Sequence, residues 1–287
     1  MRKAALDIGT NSTRLLIAEK DSKDNSYRIL LQSSAISRIG EGMKDDKMIK
    51  DQPLARTIEA LLDYRRILSD YQVSDYRLVA TSAMRDALNQ DDVLQRIKKE
   101  TGFDVQIISG RLEAELSYRG AVADFSGRQV IIDIGGGSTE VIFEKDGQIH
   151  FTSTNLGAVR LMDNQSLYLK MEDLFAENIP DYRIISESEL VGVGGTVTTL
   201  AAIQLKMEKY DWEKIHGFIL TRSDIEEISQ KLNSLSLEER KKVPGLQPER
   251  ADIILFGADI LRKFMDIYCI PQIKVSDKDL LFALLLD

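Results

Sequence analysis

The chain has 287 residues, 43% of them hydrophobic, a single cysteine and a formal net charge of −8. That length supports one large domain or two lobes with separate cores, and the lone Cys269 excludes an intramolecular disulfide and suits a reducing cytoplasm. The acidic balance argues against sequence-independent nucleic-acid binding, which needs a basic face, and no apolar run approaches the roughly 18 residues of a membrane span.

Met1-Arg2-Lys3, followed at once by Ala4 to Ile8, is too brief for a signal peptide and reads as the start of a first strand. Alternating apolar residues predict strands at 3–8, 12–19 and 26–34, then a loop with Gly40 and Gly42. An amphipathic helix follows at 52–70, with Leu54, Ile58, Leu61, Leu62 and Leu68 on one face. A strand at 76–81, a helix at 90–100, a strand at 104–109 and a helix at 111–122 complete an α/β unit. The second half restarts with strands at 128–134, 139–145 and 148–155, helical segments over 157–178, a strand at 188–193 and a helix opening after Gly194-Gly195. Ser223 with Glu226 and Ser236 with Glu239 have capping-box spacing. A long apolar helix runs from Pro248 to about 268, a short strand spans Gln272 to Val275, and a last helix covers 278–286. The helical pattern breaks at Ala123 to Gly127, which places the domain boundary at 1–124 and 125–287.

The chemistry concentrates in a repeated unit. Asp7-Ile8-Gly9-Thr10-Asn11-Ser12 and Asp133-Ile134-Gly135-Gly136-Gly137-Ser138 each end one apolar strand and begin another. A strand that ends in an acid and turns on small residues offers backbone N–H groups to phosphate oxygens. Its Asp can hold a divalent cation or orient a water. One such turn could be an ordinary hairpin; its recurrence with the same flanking strands points to a polyphosphate gripped by two turns. Gly192-Val193-Gly194-Gly195-Thr196 adds a third glycine turn, opening a helix whose dipole favours an anion. Arg14, Arg38, Arg85 and Arg160 stand in or beside small-residue turns, where a guanidinium fork suits phosphate. Glu113 and Glu115 lie early on one helix, and either could serve as general base on a water; their spacing does not choose between them. Glu140, beside the second turn, could complete a metal or water site with Asp133. His150 and His216 have no His or Cys at ligand spacing, which argues against zinc or di-iron.

Together these residues resemble the exopolyphosphatase / guanosine pentaphosphate phosphohydrolase (Ppx/GppA) family of the actin, sugar kinase and Hsp70 fold group. The matching stretches run in family order: Asp7 to Ser12 with Arg14, Arg38 to Gly42, Ala80 to Arg85, Ile108-Ser109-Gly110 leading to Glu113, and Asp133 to Glu140. Leu156 to Leu161, Gly192 to Thr199, His216-Gly217, Pro244 to Leu246 and Glu249 to Asp252 continue them. The resemblance implies two ribonuclease-H-like lobes with the active site in the cleft between them and the last helix packed on the first lobe. It implies Glu113 as the catalytic base, Asp133 and Glu140, with Asp7, as residues holding Mg²⁺ or the attacking water, and Arg85 as a phosphate contact. The phosphate-binding set it implies is Asp7, Gly9, Thr10, Asn11, Ser12, Arg14, Gly135, Gly136, Gly137, Ser138, Gly194, Gly195 and Thr196. A homodimer is a further family expectation.

Two departures stand out. The family's Ser-Asp-Arg-Gly-Leu-Arg-Glu-Gly tail reads Ser276-Asp277-Lys278-Asp279-Leu280-Leu281-Phe282-Ala283 here. Neither histidine is followed by Asp, so the helical extension with a His-Asp motif found in longer relatives is expected to be absent, with distributive cleavage or a preference for short chains as the consequence. The leading expectation is an exopolyphosphatase releasing orthophosphate from inorganic polyphosphate with Mg²⁺. Hydrolysis of guanosine pentaphosphate to tetraphosphate is the nearest alternative, since both substrates present the same terminal phosphoanhydride. A non-catalytic polyphosphate or alarmone sensor would lack the base or the acid pair, and Glu113, Asp133 and Glu140 are all present. A sugar-kinase-like phosphotransferase would need a sugar-facing acid, and nothing marks one.

Overall fold

The computed structural model describes residues 1–21, 27–43, 46–178 and 182–286. The chain divides into two compact units, one made of Met1–Ser117 and the residues from Leu280 on, the other of Tyr118–Asp279.

The first unit contains β1 (Arg2–Ile8), β2 (Thr13–Lys20), β3 (Tyr27–Ala35), α1 (Asp51–Asp70), β4 (Asp75–Ala80), α2 (Ser82–Asp86), α3 (Gln90–Thr101) and β5 (Gln106–Ile107), and α4 (Gly110–Ala121) begins in it. Its sheet has the order β3-β2-β1-β4-β5. β1, β2 and β3 form an antiparallel meander, and β4 and β5 run parallel to β1. β1 and β2 read as nearly continuous apolar runs because both faces of this sheet are covered. Leu6, Ile8, Leu15 and Ile17 pack toward Leu54, Ile58 and Leu61 of α1 and Ile97 of α3. The alternate residues Ala5, Leu16 and Ala18 pack with Leu280 to Leu285 of the last helix, α13 (Leu280–Leu286). That helix is apolar all round and buried along Leu280 to Leu285, the pattern of a helix enclosed in a core.

The second unit repeats the plan. It contains β6 (Gln129–Ile134), β7 (Thr139–Lys145), β8 (Gln148–Thr154), α5 (Ala158–Asp163), α6 (Met171–Asn178), α7 (Tyr182–Ser186), β9 (Glu189–Val193), α8 (Gly194–Gln204) and α9 (Trp212–Ile215). β10 (Ile219–Thr221), α10 (Arg222–Asn233), α11 (Leu237–Arg240), α12 (Ile254–Ile267) and β11 (Gln272–Val275) follow. The sheet order is β10-β11-β9-β6-β7-β8: an antiparallel meander β6-β7-β8, parallel neighbours β9 and β11, and an antiparallel edge strand β10. Apart from β10, this is the strand order of the first unit. Val197, Leu200 and Ala201 of α8 and Ala258, Leu261 and Phe264 of α12 fill the core against Val130, Ile132 and Ile134 of β6.

Several elements differ from the expectation. The strand expected at 104–109 shrinks to two residues, and Ser26, the expected start of the third strand, lies outside the described residues. The helical segments expected over 157–178 are α5, a 3₁₀ turn Gln165–Lys170 capped by the Asn164 side chain, which accepts from the Ser166 N–H, and α6. α12 starts at Ile254, and Pro248–Arg250 form a separate 3₁₀ turn. The Ser236–Glu239 capping box forms, but the helix before it is capped by Thr221 with Asp224, not by Ser223 with Glu226. Pairing of Thr221 with Gln272 keeps the chain extended through Thr221, so Ser223 falls inside the first turn. Glu226 instead binds Arg222, Gln230 and Arg262.

Candidate active site

Both acid-led hairpins close with the same hydrogen bond. Gly9 N–H donates to Ser12 O at 3.0 Å, and Gly135 N–H donates to Ser138 O at 2.9 Å. Strand pairing ends at Ile8 with Thr13 in one and at Ile134 with Thr139 in the other, so Gly9–Ser12 and Gly135–Ser138 lie beyond the ladders. Thr13 and Thr139 are fully buried and fasten the hairpins to the segments that follow, Thr13 Oγ1 through Ser37 Oγ at 2.8 Å and Thr139 Oγ1 through the Leu156 carbonyl at 2.6 Å.

In the first unit two segments converge on the turn. Arg38 N–H and Gly40 N–H donate to the Asn11 and Thr10 carbonyls, and Thr81 N–H reaches the Ile8 carbonyl. Thr10 Oγ1 and Ser82 Oγ share a hydrogen bond of 2.7 Å. Ser109 Oγ accepts from the Leu112 N–H at the start of α4, which brings Glu113 to Arg85: Nη1 of Arg85 donates to Glu113 Oε2 at 3.0 Å and to the Ile108 carbonyl at 3.0 Å. Glu115 pairs instead with Arg111 one helical turn back, at 2.9 Å. Geometry thus separates two glutamates that spacing could not, one held by an arginine of another element and one in a local surface pair. Asp7 is buried, and Arg14 donates to its Oδ2 through Nη2 at 2.8 Å and Nε at 3.1 Å.

In the second unit the Leu156–Arg160 segment packs on the turn. Ala158 N–H donates to Gly135 O, Val159 and Arg160 N–H groups to Gly136 O, and Arg160 Nε to Gly137 O at 2.8 Å. The third glycine turn adjoins the same hairpin: Thr196 Oγ1 donates to the Ile134 carbonyl at 2.8 Å. Gly194 has φ +78, and a Cβ there would collide with Asp133 Oδ1, so the carboxylate lies directly against the start of α8. Val193, the residue preceding that helix, supplies no side-chain cap, which leaves the first-turn N–H groups and the helix dipole to a negative group. Arg250 packs over Gly195 so closely that a Cβ would strike its guanidinium. Its sequence neighbourhood showed only a motif match, with no spacing that connects it to the turn.

Asp133 and Glu140 are cross-strand partners. Like charges directly opposite are destabilising, which makes the pair a candidate for holding a divalent cation. Among the described residues no three His, Cys, Asp or Glu side chains gather as an all-protein metal cage. Two opposed carboxylates would fit a divalent cation that keeps several waters.

Two α/β units of this strand order, each presenting an acid-led turn at the end of its first strand, define the two-lobed class of actin, sugar kinases and Hsp70. Within that class, the Ppx/GppA phosphatase family matches residues 6–281, and the chain belongs to it. It is 34% identical to a bifunctional 3-dehydroquinate synthase/phosphatase of Fusobacterium nucleatum, over 99% of this chain and 46% of that protein, so it spans about half of that relative's length. It is 32% identical to exopolyphosphatase 2 of Mycobacterium tuberculosis, over 98% of this chain and 96% of that protein. The crystal structure of an exopolyphosphatase from Cytophaga hutchinsonii superposes with a TM-score of 0.84 at 29% identity, covering 100% of this chain and 97% of the other.

Proposed function

We propose that the protein hydrolyses the terminal phosphoanhydride of inorganic polyphosphate and releases orthophosphate, with Glu113 as general base. The observation that carries this reading is the Arg85–Glu113 contact at 3.0 Å beside the first phosphate turn: a carboxylate held by a cation that is itself anchored to backbone. Glu113 takes a proton from a water whose oxygen attacks the terminal phosphorus in line, the bridging P–O bond breaks, and the shortened chain leaves with the electron pair. In the first unit the N–H groups of Thr10 to Ser12, and in the second those of Gly136 to Ser138 and Gly194 to Thr196, are suited to phosphate oxygens, since preorganised donors stabilise developing charge. A divalent cation, when bound by Asp133 and Glu140, would neutralise phosphoryl oxygens. Asp7 serves as the anchor of Arg14 and of the first turn, the role that its ion pair supports.

The test is divalent-cation-dependent orthophosphate release by the wild type and Glu113→Gln, offered short polyphosphate, long polyphosphate and guanosine pentaphosphate in parallel. Release from polyphosphate that collapses in the variant supports the proposal. Faster release from guanosine pentaphosphate would transfer the reading to that substrate, and no release from any of the three would overturn it.

A further inference from the structure

The repeat extends one strand further than the hairpins. Asp7 lies opposite Arg14, and Arg14 lies opposite Ser34; Asp133 lies opposite Glu140, and Glu140 lies opposite Ser153. Directly opposed residues project from the same face of a sheet, so each unit carries a three-residue row across its meander, acid, variable residue, serine. The rows differ only in the middle. In the first unit the variable residue is a resident cation that binds the acid. In the second it is a second acid, whose Oε1 accepts a hydrogen bond from Ser153 Oγ at 2.7 Å.

We propose that Ser153 is a positioning residue for the cation site. Glutamate has three side-chain torsions, and ordering them on an open strand face costs conformational entropy each time a ligand is bound. The Ser153 hydroxyl settles that cost in advance by fixing the rotation of the Glu140 carboxylate beside Asp133. The first unit needs no such device, because Arg14 supplies the positive charge covalently. Outer groups that hold a ligating carboxylate set metal affinity much as the ligands do. The inference rests on the reading of Asp133 and Glu140 as the cation-holding pair.

Mn²⁺ binding to the full chain without substrate, followed by electron paramagnetic resonance, tests both levels. Ser153→Ala should weaken Mn²⁺ roughly 10-fold or more, Ser153→Thr should restore wild-type affinity, and adding Ser153→Ala to Glu140→Gln should weaken binding no further than Glu140→Gln alone. Thermal unfolding of metal-free Ser153→Ala should match the wild type. Wild-type affinity in Ser153→Ala with weak binding in Glu140→Gln would overturn the role of Ser153 and leave the acid pair standing. Unchanged binding in Glu140→Gln would remove the acid-pair reading itself. Additive losses in the double variant, or a loss that threonine does not restore, would assign Ser153 to packing and overturn the proposal.

Discussion

Arg85 Nη1 lies 3.0 Å from Glu113 Oε2, although one residue closes the short helix after β4 and the other opens α4. The same nitrogen is fixed to the Ile108 carbonyl, so the arginine presents the carboxylate from a rigid sheet edge. Both contacts come from that one nitrogen, whose two N–H bonds lie in the fixed guanidinium plane; a lysine in its place keeps the charge but has no such plane to aim its donors. Arg85→Lys should therefore lower kcat by on the order of 10²-fold through misplacement of the base, in steady-state orthophosphate release. Undiminished kcat would detach Arg85 from catalysis.

Two glycines that support the hairpins should differ in their tolerance of a methyl group. A Cβ at Gly157 would lie 2.5 Å from backbone atoms of Gly136 and Gly137, whereas one at Gly40 would lie 2.5 Å from Cγ2 of Thr10. A side chain can rotate away; a turn backbone must shift. Gly157→Ala is expected to cost about 1–3 kcal/mol in urea unfolding, and Gly40→Ala less, with the Thr10–Ser82 hydrogen bond as its casualty.

His216 makes stability depend on pH. Its ring stacks on Phe125, Nε2 meets Asp124 at 3.1 Å, and Nδ1 accepts from the Asp277 N–H. Burial, and then the positive charge of Lys278, hold its pKa below the ordinary 6.5, with Asp124 offsetting only part. The unfolded chain then binds the proton more readily than the folded one, so this contribution is complete above about pH 6.5 and is lost as pH falls from there through the folded-state value. Melting temperatures should decline below about pH 6.5 in the wild type, and His216→Asn should flatten that part of the profile. A profile identical in the two proteins would exclude His216 as its source.

Glu226 acts in a lower window. Hydrogen bonds from Arg262 first, then Gln230, with Arg222 adding to them, hold its pKa at about 2. Its contribution is present above the ordinary 4.5 and is lost as pH falls toward 2. The cluster is partly solvated, so Glu226→Gln should cost only about 1 kcal/mol at pH 7, measured by denaturant unfolding, and next to nothing once the wild-type carboxylate is itself protonated.

Leu285 of α13 is 1% exposed and packs in the cluster that contains Ala5 and Leu16. Leu285→Ala should cost about 2–5 kcal/mol in urea unfolding. A cost near zero would mean that the last helix adds nothing to the first unit.

The hairpins were legible because their signals are local: an apolar run, an acid, then small residues. Where sequence reading failed, two local patterns competed and a distant contact chose. Thr221-x-x-Asp224 and Ser223-x-x-Glu226 are both plausible caps, and the Thr221–Gln272 pairing selects the first.

By itself the sequence determined two α/β units, each with an acid-led glycine turn, because strands, turns and amphipathic helices follow from residues a few positions apart. Tertiary structure alone decided which groups meet: Arg85 with Glu113, Arg14 with Asp7, Ser153 with Glu140, Arg250 against Gly195. Those meetings depend on sheet order, register and helix placement. Spacing along the chain does not encode them, because a side-chain hydrogen bond is set by ångströms between elements and not by residues between positions.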